Sequence, residues 1–166
     1  MGGNQGDVIG GFCRAVDLLL SVSSIQLFAL SSLYKTQPVG PQNQPDYING
    51  IISVKTILTP QSLLDRLLEI EAQLGRNRDL EQRWGERCID LDLIAFDDVV
   101  LDTPTLILPH PRMAQRRFVL QPMADIAPNW CHPLLDQTVD MLLNAVNDPS
   151  RVERCSALAF TSLGKA

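Results

Sequence analysis

The sequence predicts an α+β sandwich, on three observations. Two stretches carry apolar residues at helical spacing, around Phe12–Leu20 and Leu63–Leu74. Short runs rich in Ile, Val and Leu, bounded by Pro, Gly and Asn, lie between and after them. Two of those runs are separated only by Asp97-Asp98, a spacing that makes a tight hairpin and excludes a purely parallel sheet.

In chain order, Gly10–Ser21 reads as a helix with Phe12, Val16, Leu19 and Leu20 on its apolar side. Ile25–Tyr34 reads as a strand. Residues 36–41, with two prolines and a glycine, must be a loop. Tyr47–Leu58, rich in Ile and Val, reads as a second strand. Thr59-Pro60 opens a helix over Gln61–Leu74, with Leu63, Leu64, Leu67, Ile70 and Leu74 on one face and Gly75 as its stop. Residues 76–86 are polar and loop-like. Cys88–Phe96 alternates and reads as a strand, and Val99–Asp102 as its hairpin partner. Pro109–Pro111 marks a loop, Gln115–Met123 begins as helix, and Val139–Val146 is a final helix. Without repeats or low-complexity tracts, one domain is expected over residues 1–148. Residues 149–166 form a tail of unknown role.

Composition bounds the function. With 45% hydrophobic and 20% charged residues in 166, the chain is globular and long enough to bury a core. No apolar run nears the roughly 20 residues that span a bilayer, and the start carries no signal peptide, so a soluble cytoplasmic protein without membrane contact is expected. Cys13, Cys88, Cys131 and Cys155 are scattered, which suits reduced thiols better than disulfides or zinc. A net charge of −5 argues against nucleic acid as a partner. Yet seven of the eleven arginines fall between residues 76 and 117, a local cluster suited to a polyanionic ligand. A solvated charged face would give the same composition.

The sharpest local feature is Arg87-Cys88-Ile89-Asp90-Leu91-Asp92-Leu93-Ile94. Side chains two apart on a strand share a face about 7 Å apart, so Asp90 and Asp92 project together while Ile89, Leu91 and Leu93 face a core. Paired carboxylates suit Mg²⁺, whose shell phosphate oxygens and water complete. An Asp-x-Asp on an exposed strand face is also common without any metal. Arginines immediately upstream favour a phosphate ligand, and the absence of Gly-x-x-x-x-Gly-Lys-Ser/Thr excludes a P-loop.

Arg83–Ile94 resembles the signature of the hydroxymethyldihydropterin pyrophosphokinase family: a basic residue, a small pair, an arginine, then Asp-aliphatic-Asp and two aliphatics. The resemblance extends in order along residues 3–135. It takes in Gly3–Asp7, Tyr34–Gly40, Gln44–Asn49, Glu71 with Gly75–Arg78, and Pro109–Met113. It implies a ferredoxin-like α/β sandwich with a mostly antiparallel sheet flanked by helices. It also implies transfer of pyrophosphate from ATP to 6-hydroxymethyl-7,8-dihydropterin, with release of AMP, in a monomer. One departure stands out. The family's first strand, several apolar residues before the glycine–asparagine turn, has no counterpart here, since Met1 directly adjoins Gly2-Gly3-Asn4.

Carried over residue by residue, the resemblance makes Asp90 and Asp92 the holders of two Mg²⁺ ions, with ATP as co-substrate. Arg76 and Arg87 would act on the transferring phosphates. Glu71, Arg78, Trp84, His110 and Arg116 match nucleotide-binding positions, with Arg78 and Trp84 on a loop that closes over ATP. Tyr47 and Phe118 match an aromatic pair that sandwiches the pterin, and Thr36, Pro38, Val39 and Asn49 match positions that read its polar edge. Two other readings stay open from the residues alone: a different metal-dependent nucleotidyl- or glycosyltransferase, and a non-catalytic interaction module.

Overall fold

The computed structural model describes residues 1–38, 43–76 and 86–155. Its first element, β1 (Gly2–Gly3), is followed by α1 (Val8–Leu20), β2 (Ile25–Leu30), β3 (Tyr34–Thr36), β4 (Tyr47–Asn49) and β5 (Ile52–Thr56). Then come α2 (Pro60–Gln73), β6 (Leu101–Asp102), β7 (Ile107–Leu108), α3 (Arg117–Ile126), β8 (Cys131–His132), β9 (Gln137–Thr138), α4 (Val139–Ala145) and β10 (Val152–Arg154). A single 3₁₀ turn, Met113–Gln115, precedes α3.

Local chemistry sets the helix boundaries. The Asp7 side chain accepts a hydrogen bond from Gly10 N and so caps α1, which buries Phe12, Ala15, Val16 and Leu19 at helical spacing. Thr59 caps α2 by accepting from Ser62 N, with Pro60 in the first turn. Gly75, at φ +89°, ends it in the left-handed region that suits glycine. Thr138 caps α4 in the same way as Thr59 caps α2.

Four strands form the main sheet, in the order β1-β4-β3-β10, and every pairing in it is antiparallel. β2 and β5 form a second antiparallel pair with an irregularity between Leu27 and Ala29. One core cluster joins Phe12 and Leu19 of α1, Leu63, Leu67 and Ile70 of α2, and Ile89 and Leu91. A second joins Met113, Val119, Leu120 and Met123 to Val139 and Leu142 of α4, with Ile51 and Ile94 against it. The apolar sides of Ile89–Ile94 therefore divide between two cores. No helix among the described residues is long and apolar enough to cross a membrane.

The α+β class and the mostly antiparallel sheet agree with the sequence reading; several details differ. Cys88–Phe96 is not a regular strand: only Asp90 forms a ladder bridge, with Gly2 of the two-residue β1. The strand after the Asp97-Asp98 turn shortens to β6 and pairs with β7 instead of folding back on Cys88–Phe96. Tyr47–Leu58 is broken at Gly50-Ile51 into β4 and β5. A Cβ at Gly50 would meet Leu33 Cδ2 at 2.7 Å, so the chain there needs a glycine unless Leu33 moves. From the segment read as a tail, Val152–Arg154 joins the main sheet as β10, paired with β3.

Candidate active site

Asn4 ties the N-terminal turn to the carboxylate segment. Its Oδ1 accepts from Arg87 N at 3.0 Å, its own N–H donates to Arg87 O at 3.0 Å, and its Nδ2 donates to Pro45 O and Gln44 Oε1. Gly3 makes that closeness possible, since a Cβ there would stand 2.8 Å from Cys88 O. Gly2 exchanges two backbone bonds with Asp90, at 2.9 and 2.7 Å. The result is a fixed start for the Asp90–Asp92 segment, held on one side by β1.

The other side is held by a buried charge network. Glu71, from the last turn of α2, is 1% exposed. Its Oε1 accepts from Leu91 N at 2.6 Å and from Arg76 Nη1. The same Arg76 nitrogen donates to Asp90 Oδ1, and Arg87 Nη1 donates to Asp90 Oδ2 at 2.9 Å. Two guanidiniums thus share one carboxylate. Burial alone would raise the pKa of Asp90, but Arg76 and Arg87 outweigh it and hold the carboxyl below its ordinary value. That stabilisation is present above the ordinary carboxylate pKa and disappears as pH falls through the depressed one.

These groups open onto a cleft of about 310 Å³. Asp90 and Asp92 both line it, as do Arg76, Arg87, His110 and Arg116. On the apolar side it is lined by Tyr47 and Phe118, with Thr36 and Asn49 between the strands. Asn49 Nδ2 donates to Thr36 Oγ1 at 2.7 Å, which fixes the amide orientation in a buried pair. The Arg116 guanidinium sits 5.4 Å from the Phe118 ring centroid, close enough for cation–π attraction. Burial lowers the His110 pKa; Arg116 and Arg112 push the same way against Asp92, leaving a neutral imidazole favoured near neutral pH.

Ten of the residues predicted from sequence meet in this one cleft. Two others do not line it: Pro38 is buried outside it, and Glu71 lies behind its wall, holding Arg76 and Leu91 N. Val39, Arg78 and Trp84 fall outside the described residues. Arg112, part of the sequence cluster but given no role from it, also lines the cleft. Asn4, too, was legible only as part of a glycine–asparagine turn.

A divalent cation fits this chemistry in a specific way. No group of three His, Cys, Asp or Glu side chains among the described residues could cage a metal. Two carboxylates on one cleft wall suit Mg²⁺, which commonly takes one or two protein carboxylates and fills its shell with phosphate oxygens and water. Arg87, whose Nε is buried without a hydrogen-bond partner among the described residues, also lines the cleft, and a guanidinium suits a phosphate. Metal and phosphate therefore fit together better than metal alone.

A family model described as 7,8-dihydro-6-hydroxymethylpterin-pyrophosphokinase matches residues 1–128. The chain is similar to the 2-amino-4-hydroxy-6-hydroxymethyldihydropteridine pyrophosphokinase of Synechocystis, 42% identical over 147 residues, covering 89% of this chain and 74% of that protein. It is 40% identical over 154 residues to the protein of that name from Methylorubrum extorquens, covering 93% and 94% of the two chains. Against the Bacillus subtilis protein of that name the identity is 41% over 126 residues, covering 76% and 74%.

Proposed function

The chain belongs to the 7,8-dihydro-6-hydroxymethylpterin-pyrophosphokinase family, and on that premise we propose how its cleft acts. It transfers the pyrophosphoryl group of ATP to the hydroxymethyl oxygen of 6-hydroxymethyl-7,8-dihydropterin and releases AMP, a step in folate synthesis. The substrate oxygen bonds to the β-phosphorus, the bond from that phosphorus to the α,β-bridging oxygen breaks, and the hydroxyl proton is lost. One observation carries the reading: Asp90, Asp92 and Arg87 line the same cleft as Tyr47 and Phe118.

In this reading Asp90 and Asp92 hold two Mg²⁺ ions with the phosphates. Bound Mg²⁺ supplies charge neutralisation at the phosphate oxygens. Arg87, three residues before Asp90, and Arg76 are near enough to exchange their carboxylate contact for phosphate oxygens when ATP enters. His110 and Arg116 would contact the nucleotide, a role the family resemblance also gives to Arg78 and Trp84, which lie outside the described residues. Tyr47 and Phe118 stack on the pterin, while Thr36 and Asn49 read its polar edge; for Pro38, which does not line the cleft, and Val39, outside the described residues, that role rests on the family resemblance alone. Glu71 acts through Arg76 as a positioning residue. The protein works as a cytoplasmic monomer.

Arg87→Ala is expected to lower kcat about a hundredfold while changing the pterin Kd by less than about threefold, since its contribution falls on the transferring phosphates. Equal losses in pterin affinity and turnover, measured by calorimetry and steady-state kinetics, would count against that role. Phe118→Ala is expected to weaken pterin binding at least about tenfold through lost stacking, with the KM for ATP near its original value. A change confined to the nucleotide would move Phe118 out of the pterin site.

A coupled assay for AMP tests the function itself. With ATP and Mg²⁺, AMP should form only when the pterin alcohol is added. AMP formed at the same rate without pterin, or none formed by folded protein, would sink the reading.

A further inference from the structure

α3 begins at two consecutive arginines, Arg116 and Arg117, and the residue at its cap position, Arg116, makes no side-chain capping bond. Positive charge is unfavourable at a helix start, where free N–H groups already carry partial positive charge. The cap comes instead from 31 residues downstream. Asp148 Oδ2 accepts from Arg117 N at 2.8 Å, and Asp148 O accepts from Arg117 Nε at 3.3 Å. Arg117 Nη2 donates to Val146 O at 3.3 Å, so this guanidinium engages the chain leaving α4 and does not line the cleft. Asp148 Oδ1 accepts from Ser150 N at 2.9 Å, which shapes the turn toward β10.

The same segment then reaches a second wall of the cleft. β10 pairs with β3 in the register Val152↔Thr36, Glu153↔Lys35 and Arg154↔Tyr34. Cys155 N donates to Leu33 O at 2.9 Å, so alternation makes Glu153 the next residue of β10 to exchange bonds with β3, at Lys35. Thr36 ends this ladder and lines the cleft, where it accepts from Asn49 Nδ2. Phe118 follows Arg117 and lines the cleft from α3. Residues 146–155 thus hold the cleft-side ends of α3 and β3 together. Away from the cleft the two elements are tied directly, since Asp125 of α3 accepts from Tyr34 Oη and Ser32 N, both at 2.9 Å. Phe118 and Asp125 lie about two helical turns apart on one face, and Tyr34 and Thr36 share a face of β3. The far tie is made by α3 and β3 themselves; the near one is supplied by the downstream segment.

We propose that residues 146–155 brace the pterin pocket by fixing Phe118 against Thr36 and Asn49, with Asp148 as a positioning residue that acts through Arg117 N. The inference rests on the reading of Phe118, Thr36 and Asn49 as pterin contacts. A flat ring stacked on one wall and hydrogen-bonded to another needs both at fixed separation, because a displacement of about 1 Å breaks the hydrogen bonds. Without Asp148 the first turn of α3 loses its cap, and Phe118 sits in that turn. Without the bond at Glu153, β3 loses support beside Thr36.

The test measures binding of 6-hydroxymethylpterin by calorimetry, with Mg²⁺ and a non-hydrolysable ATP analogue present, in the parent and four variants. Asp148→Ala, which removes a helix cap, and Glu153→Pro, which removes a ladder donor, should each raise the pterin Kd at least about fivefold. Asp148→Asn, whose amide oxygen caps as well as a carboxylate, should stay within about twofold of the parent. Leu63→Ala, in the first core and on neither wall, should lower Tm at least as far as Asp148→Ala yet keep the pterin Kd within about twofold. Amide exchange at Arg117 should quicken in Asp148→Ala. A parent-like pterin Kd in folded Asp148→Ala and Glu153→Pro overturns the proposal, as does an equal loss in Leu63→Ala, which would reduce the brace to general stability. A loss in Asp148→Asn as large as in Asp148→Ala overturns the capping role. A parent chain that binds no pterin defeats the reading of the cleft itself, and the brace with it.

Discussion

Asp92→Ala is expected to lower kcat about a thousandfold while leaving Tm within about 2 °C of the parent. Asp92 is exposed at the cleft and takes part in none of the ion pairs found among the described residues. Substitutions at such positions usually change stability by no more than about 0.5 kcal/mol, or roughly 2 °C in a chain of this size. Its proposed contribution is to the charge of the phosphates in transfer, worth several kcal/mol, and each 1.36 kcal/mol of barrier is tenfold in rate. Stability and rate therefore separate at this residue. A variant with unchanged kcat at saturating Mg²⁺ would remove the carboxylate pair from the chemistry.

Asp90 gives no such separation. It is held by Arg76 and Arg87, so its loss is expected to disturb the fold as well as the proposed reaction.

Glu71→Ala is the second large effect, and it falls on stability first. The carboxylate is buried, accepts Leu91 N and Arg76 Nη1, and anchors the end of α2 to the Asp90–Asp92 segment. Removing it strands a buried backbone N–H and takes one partner from the buried Arg76 guanidinium. Breaking a buried pair in this way costs about 3–5 kcal/mol, which in a chain of this size lowers Tm on the order of 10 °C. Glu71→Gln keeps an acceptor for Leu91 N while losing the charge, so its loss should be about half as large. Differential scanning calorimetry of the two variants distinguishes this from direct nucleotide contact. Unchanged Tm with a raised KM for ATP would return Glu71 to the nucleotide site.

Whatever the chain decides locally was legible in the sequence. Thr59 and Gly75 set the ends of α2 through bonds spanning a few residues, and their pattern can be read directly. The apolar stripe of α1 gave its buried face, Phe12 through Leu19. Asp90 and Asp92 were readable as a pair because their spacing is two, although only one of them sits in a ladder.

What depends on distant partners was not legible. Leu101–Asp102 could have paired with either neighbour, and the choice of Ile107–Leu108 is tertiary. Val152–Arg154 has no strand pattern of its own; it becomes a strand because β3 offers an open edge. Glu71 occupies the core side of α2, where a carboxylate is costly unless paired, and its partners come from 5 and 20 residues downstream. Tyr47 and Phe118 would count as core by residue type alone, and only the fold brings them to one cleft.

The central claim is that Asp90 and Asp92 gather divalent ions with ATP opposite Arg76 and Arg87. Electron paramagnetic resonance of Mn²⁺, titrated into the protein with a non-hydrolysable ATP analogue, addresses it directly. Two protein-dependent ions should bind to the parent chain, and at least one should be lost in Asp92→Ala. Equal Mn²⁺ stoichiometry and affinity in the parent, Asp92→Ala and Asp90→Asn would contradict it.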